Sequence, residues 1–260
     1  MILPRKRFGQ HFLRDANIIN RIITALAPKP HDHLIEIGPG QGALTFPMLK
    51  QVPILVAIEL DRDLAAFLQA NSKGEALKIY STDALTFDFS SLKQDERKLR
   101  IFGNLPYNIS TPLIFHLLDF SNIITDMLFM VQKEVADRLA AMPHTSDYGR
   151  LSVMVQYHCQ VERLFDVPPS AFYPPPQVQS SVVRLIPYFP VPYLVKDEFL
   201  FRTIVKQAFS QRRKTLRNSL KNRVSDHIWS CVQVHSNWRA EDLSVKNFVE
   251  ICNACSVAEK

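Results

Sequence analysis

The sequence has few cysteines, no long hydrophobic run, no internal repeat and no low-complexity segment. Its four cysteines, Cys159, Cys231, Cys252 and Cys255, are too few for a disulfide framework in 260 residues. Cys252 and Cys255 do form a CxxC, but no second Cys or His pair stands near it to complete a zinc site. Reduced, packed thiols are expected there, and no metal. No stretch approaches the ~20 apolar residues of a membrane span, and the basic N-terminus is not followed by a hydrophobic region. A soluble cytoplasmic protein with no membrane partner is the expectation.

Acids are missing from two short stretches. Arg5, Lys6 and Arg7 form one; the other, residues 211–223, holds Arg212, Arg213, Lys214, Arg217, Lys221 and Arg223. Outside these nine, 22 bases face 25 acids, so the net charge of +6 resides wholly in the two stretches. That is the footprint of a polyanion partner, although solvated basic faces have the same composition.

What is present is a chain with 47% hydrophobic residues, enough for a full core and for one large domain plus a small one. A proline-rich break near 187–192 divides it into residues 1–188 and 189–260. Apolar runs at 33–37, 54–58, 77–80, 99–102 and 125–131 read as buried strands. Further strands are expected at 161–167 and 180–186, and helices intervene. The tail after Asp197 has helical periodicity throughout, including a basic helix over 211–223. This is an α/β sheet domain followed by an all-α one.

Three places carry candidate chemistry. Gly38-Pro39-Gly40-Gln41-Gly42 follows the first strand, where glycines let a ligand approach the backbone. Glu59 ends the next strand, 21 residues after Gly38, and can take both hydroxyls of an adenosine ribose. Dinucleotide enzymes share that pair. Asp83 follows the third strand and can accept from an adenine amine, or simply cap a turn.

The fourth strand delivers Asn104-Leu105-Pro106-Tyr107 before a helix starting at Ser110. These residue types suit methylation of an amino group on a base. The exocyclic amine of adenine is a poor nucleophile because its lone pair is delocalised into the ring. Accepting its two N–H hydrogens, on the Asn104 side-chain oxygen and the Leu105 carbonyl, aims the lone pair outwards. Pro106 stiffens the loop, and Tyr107 offers a face for an extruded base. A plain strand-to-helix turn with a buried Tyr also fits these four residues. Phe172 and Tyr173 precede three prolines, and an aromatic on that stiff loop is either a core plug or a second stacking wall.

In this order the motifs resemble the ribosomal RNA adenine dimethyltransferase family, over nearly the whole chain. The resemblance is carried by FGQHFL (8–13), EIGPGQGALT (36–45), IELDRDL (58–64), DAL (83–85), FGNLPYNIS (102–110), YGRLSVMVQ (148–156), FYPPPQVQSSVVRL (172–185) and AFSQRRKTLRNSL (208–220). Macrolide-resistance dimethylases of large-subunit RNA share the amino-terminal motifs. NLPYNIS and the FxPxPxVxS pattern fit the small-subunit branch better.

The resemblance implies a Rossmann-like class I methyltransferase sheet with a small all-α C-terminal RNA-binding domain. It implies S-adenosylmethionine as donor, held by His11, Leu13, Gly38, Glu59, Asp83 and Asn104. Some members have Asn at the position of His11. Catalysis is expected from Asn104, Leu105, Pro106, Tyr107 and Phe172, with Tyr107 and Phe172 sandwiching the base. RNA contacts are expected from Arg5, Lys6, Arg7, Arg212, Arg213, Lys214 and Arg217. The target is two adjacent adenosines in the 3′-terminal hairpin loop of 16S rRNA, each methylated twice on its 6-amino group. The partner is the assembling 30S subunit and the free enzyme is monomeric. An adenine methylase acting on DNA, and a non-catalytic assembly or transcription factor on the same scaffold, are the competing readings.

Overall fold

The computed structural model describes residue 5 and residues 10–72, 76–211 and 213–258. Its elements run β1 (Phe12–Leu13), α1 (Ala16–Leu26), β2 (His33–Ile37), α2 (Thr45–Met48), β3 (Leu55–Ile58), α3 (Arg62–Asn71) and β4 (Leu77–Tyr80). They continue with β5 (Leu99–Asn104), α4 (Ser110–Leu118), β6 (Ile124–Gln132), α5 (Lys133–Ala140), α6 (Arg150–His158), β7 (Cys159–Val167), β8 (Phe172–Tyr173) and β9 (Ser180–Pro187). Four helices follow: α7 (Glu198–Ala208), α8 (Leu216–Ser219), α9 (Asp226–Cys231) and α10 (Val245–Ala258).

Seven strands form one sheet in the order β4-β3-β2-β5-β6-β9-β7. The pairs from β4 to β6 are all parallel, and β9 lies antiparallel to β6. Such strands are covered on both faces, which explains their near-continuous apolar runs. Leu34, Ile35 and Ile37 of β2 and Leu99, Ile101 and Phe102 of β5 are all buried. Because β3 and β4 extend the sheet on one side of β2 and β5 starts the other, the strand order reverses between β2 and β5. The crevice beyond the carboxyl ends of those two strands is where an open α/β sheet binds ligands.

At the opposite ends of these strands Arg100 ties β5 to its neighbours. Its guanidinium donates to Asp126 (2.7 Å), to Asp32 (2.6 Å) and to the Leu26 carbonyl (2.7 Å), one of the terminal carbonyls of α1. α1 itself starts at Asp15, whose carboxylate accepts from the Asn17 and Ile18 N–H groups. Its apolar stripe of Ile18, Ile22, Ile23 and Leu26 is buried.

A second, two-stranded sheet pairs β1 with β8, Phe12 opposite Tyr173 and Leu13 opposite Phe172. The sequence pattern does not show it and makes 172–173 a loop. The three prolines end this strand after Tyr173 instead of excluding it.

The chain divides into two compact units, Met1–Ala136 with Val161–Pro187, and Asp137–Gln160 with Tyr188–Lys260. The boundary at 187 falls at the proline-rich break. Residues 137–160, however, belong with the helical tail, so a single cut at 188 leaves out one of its pieces.

In the helical unit Asp197 caps α7 by accepting from the Leu200 N–H (2.9 Å). α7 buries Leu200, Phe201, Ile204, Val205 and Ala208, while α10 buries Phe248, Ile251, Cys252 and Cys255. The CxxC is thus a packed helical pair, and burial pushes the Cys252 thiol up to about 12. Among the described residues no group of three His, Cys, Asp or Glu is arranged to hold a metal, and no helix is long and apolar enough to cross a membrane. The basic helix expected over 211–223 is a short one, 216–219, flanked by turns.

Candidate active site

Beyond the carboxyl ends of β2 and β5 lies a cavity with an empty volume of about 1070 Å³, counting its open mouth. Its lining is largely apolar with a few convergent polar groups, as ligand sites are. His11, Leu13, Gly38, Glu59, Asp83, Asn104, Leu105, Pro106 and Tyr107 all line it, so five separated stretches of sequence meet there.

Two glycines make the approach possible. Gly38 sits at φ +64°, which L side chains rarely adopt, and its N–H donates to the Ile58 carbonyl (3.0 Å). Gly103, inside β5, lies so close to β2 that a Cβ would be 2.3 Å from the Ile37 carbonyl oxygen. It draws the strand carrying Asn104 against the strand that leads into Gly38.

Glu59 is buried at 6% exposure, and one oxygen accepts from the Asp61 N–H (2.9 Å), the other from the Gly40 N–H (3.1 Å). Burial raises its pKa, and the two amides partly offset the rise. Each carboxylate oxygen keeps lone-pair capacity for one more donor, the pattern a vicinal diol requires. Asp83 caps a turn at the cavity wall. Its Oδ1 accepts from the Leu85 N–H (2.9 Å), as a turn cap does, and its side chain also lines the cavity, with Ala84 as the neighbouring apolar wall.

Among the described residues, one hydrogen bond orients the Asn104 amide: its Nδ2 donates to the His11 carbonyl (3.0 Å). A carbonyl can only accept, so the amide is fixed with Oδ1 on the other side, where it and the second Nδ2 hydrogen are left for a ligand. The His11 ring donates from Nδ1 to the Pro174 carbonyl (2.8 Å) and stacks on Tyr107, centroids 5.5 Å apart at 27°. The Tyr107 hydroxyl is held by Ser180 Oγ at 2.7 Å, and partial burial raises its pKa.

The family model for ribosomal RNA adenine dimethylases matches residues 2–256. The chain belongs to the ribosomal RNA adenine dimethylase family. Its relatives include the ribosomal RNA small subunit methyltransferase A of Alcanivorax borkumensis, 54% identical over 96% of this chain and 89% of that one. The namesake from Chromohalobacter salexigens is 52% identical over 96% of this chain and 90% of its own. Among solved structures, a dimethyladenosine transferase from Plasmodium falciparum superposes with a TM-score of 0.76 at 26% identity, covering 93% of this chain and 96% of that one. The 23S rRNA methyltransferase ErmE, at 21% identity, shares the fold with a TM-score of 0.70 over 94% of this chain and 99% of its own. Like its family, the chain is a methyltransferase that uses S-adenosylmethionine.

Within this dimethylase fold, two expectations need correction. Phe172 is not a wall of the cavity: it is 4% exposed and packs in the core with Leu13, Ile18 and Ile22. Pairing with Leu13 through β1 turns its side chain inward, and Tyr173, 45% exposed under the Arg14 guanidinium, takes the outward position. Arg5 is not a free phosphate ligand. It pairs with Asp61 (2.9 Å) and with Asp63, and Gln10 joins the same Asp61 carboxylate (3.3 Å). Lys6, Arg7 and Arg212 lie outside the described residues. Arg213 and Lys214 are exposed, and Arg217 forms a surface ion pair with Asp226 (2.6 Å), a weak contact.

Two members of the site were missed from sequence. Glu36 precedes Ile37 on β2, is fully buried, accepts from Thr45 Oγ1 (2.7 Å) and lines the cavity. Burial pushes it up to about 8, so near neutrality it largely keeps its proton. An acid inside an otherwise apolar strand was the available signal. Ser180 gave none, because only the fold brings it to Tyr107. Replacing Ser180 with Ala leaves the half-buried Tyr107 hydroxyl without that partner. In a cycle with Tyr107→Phe, the pair is expected to couple by about 1 kcal/mol in unfolding free energy, and additive effects would remove Ser180 from this role.

Proposed function

We propose that this chain methylates the 6-amino groups of two adjacent adenosines in the 3′-terminal hairpin loop of 16S rRNA, giving dimethyladenosines, and that it acts in the cytoplasm as a monomer on the assembling 30S subunit. The observation that carries the reading is the fixed Asn104 amide, whose oxygen is left for an amine at the edge of the cavity that Gly38, Glu59 and Asp83 also line. The names of the relatives support small-subunit RNA as the target.

S-adenosylmethionine fits the residues present, since Gly38 keeps its backbone bare and Glu59 keeps capacity for a diol. When bound, it supplies an electrophilic methyl group. Glu59 holds the ribose hydroxyls, Asp83 accepts from the adenine amine, and His11 and Leu13 close the side next to Asn104. The target base stacks on Tyr107. Asn104 Oδ1 and the Leu105 carbonyl take its two amine hydrogens, so that the nitrogen lone pair leaves conjugation and points into the cavity. The helical unit, through Arg213, Lys214 and Arg217, holds phosphates of the RNA.

Incubation with radiolabelled donor tests this directly, with immature small subunits, naked 16S rRNA, 23S rRNA and duplex DNA offered in parallel. Label is expected in two neighbouring adenosines near the 3′ end of 16S rRNA, as dimethyladenosine. Label confined to DNA or 23S rRNA, or none on any substrate, would refute it.

A further inference from the structure

The helical unit carries a partly exposed tryptophan that does not line the cavity. Trp238 is 39% exposed, although its size usually favours burial. It closes a turn, His235-Ser236-Asn237-Trp238, through its own N–H to the His235 carbonyl (3.0 Å). The His235 ring meets the indole edge-on, centroids 5.0 Å apart at 67°. The turn is also fastened to the start of α8: the Leu216 N–H donates to the Trp238 carbonyl (2.8 Å) and the Arg217 N–H to the Ser236 carbonyl (2.9 Å). The loop that bears the indole is therefore fastened to the basic stretch, with Arg213 and Lys214 just ahead of α8 and Arg239 next in sequence, all exposed; Arg239 lies 3.9 Å from Glu241, and Arg217 pairs with Asp226.

We propose that Trp238 is a stacking platform for an unpaired RNA base, with the surrounding Arg and Lys side chains taking the adjoining phosphates. A rigid aromatic among cations is how proteins hold single-stranded nucleic acid without reading its sequence. A protein partner that buries an indole does so in an apolar pocket and gains nothing from this positive charge. The inference rests on rRNA being the substrate, and it places a base-stacking site in the helical unit, separate from the target adenosine in the cavity.

The full-length protein tests it with a 16S 3′-terminal hairpin RNA and with immature small subunits. Trp238→Ala is expected to weaken binding about ten- to hundredfold with little change in salt slope, and Trp238→Phe to keep most of the affinity. Trp238→Leu, which keeps apolar bulk but no π-face, should bind as weakly as the Ala variant. Arg213→Ala with Lys214→Ala should instead flatten the salt dependence, by roughly 0.7–0.9 log units for each phosphate that is no longer neutralised. With Trp229→Phe leaving Trp238 as the sole tryptophan, RNA should quench its emission with the midpoint seen by anisotropy. Full affinity in Trp238→Leu, or an unquenched indole while RNA binds normally, overturns the proposal. Should the unaltered protein bind neither RNA, the rRNA reading itself falls, and the platform with it.

Discussion

Asn104→Ala is expected to bind RNA nearly as well as the unaltered protein and to turn over at least about a hundredfold more slowly. The substitution deletes the amide oxygen that accepts from the target amine, while Tyr107 and the basic surface stay in place. Stacking is worth about 1–3 kcal/mol per base in single-strand binders, so the adenine is still held. Its amine then returns to conjugation with the ring, and the lone pair no longer faces the methyl group. Removing one oriented hydrogen bond at a reacting centre costs about 10²–10³ in rate. The amide also donates to the His11 carbonyl, so part of the effect can reach the donor through His11 and Leu13. Donor affinity is therefore measured alongside, and single turnovers are compared with both ligands saturating. Near-normal methylation under those conditions would refute the role of Asn104.

The sheet was legible because each parallel strand is a short apolar run bounded by turn residues, and because Gly38, Glu59, Asp83 and Asn104 all stand just past such runs. What escaped depends on partners distant in sequence. Phe12–Leu13 and Phe172–Tyr173 become strands only by pairing with each other across some 160 residues, and that pairing decides which of the two aromatics faces inward. Arg5 reads as a free base until the fold sets it against Asp61 and Asp63. The helix over 211–223 is cut short because Thr215 is extended and the carbonyls of Ser236 and Trp238 take the N–H groups of α8. Residues 137–160 have ordinary helical periodicity, and no local signal assigns them to one unit or the other.

Glu59→Ala is expected to weaken S-adenosylmethionine binding by about a hundredfold or more, since hydrogen bonds to a charged group contribute about 1.5–3 kcal/mol each and two are removed. The weakening has a second source inside the protein. The carboxylate also takes the N–H groups of Gly40 and Asp61, so Ala frees the glycine loop and the start of α3 together. Glu59→Gln separates the two effects in part. It keeps the volume, but one side-chain oxygen cannot serve both amides, and its NH₂ group then faces an N–H; weaker donor binding is expected here too. The unaltered protein carries a pH signature that neither variant shares. Hydroxyl donors favour the ionised carboxylate, and burial has already raised the Glu59 pKa above its ordinary 4.5. Donor affinity should thus be full well above that raised value and fall as pH is lowered through it, while in Glu59→Ala this fall disappears. Calorimetric titration of the three proteins from neutral to mildly acidic pH reads both effects. Unchanged affinity in Glu59→Ala, with the same acid dependence as the unaltered protein, would exclude Glu59 from the donor site.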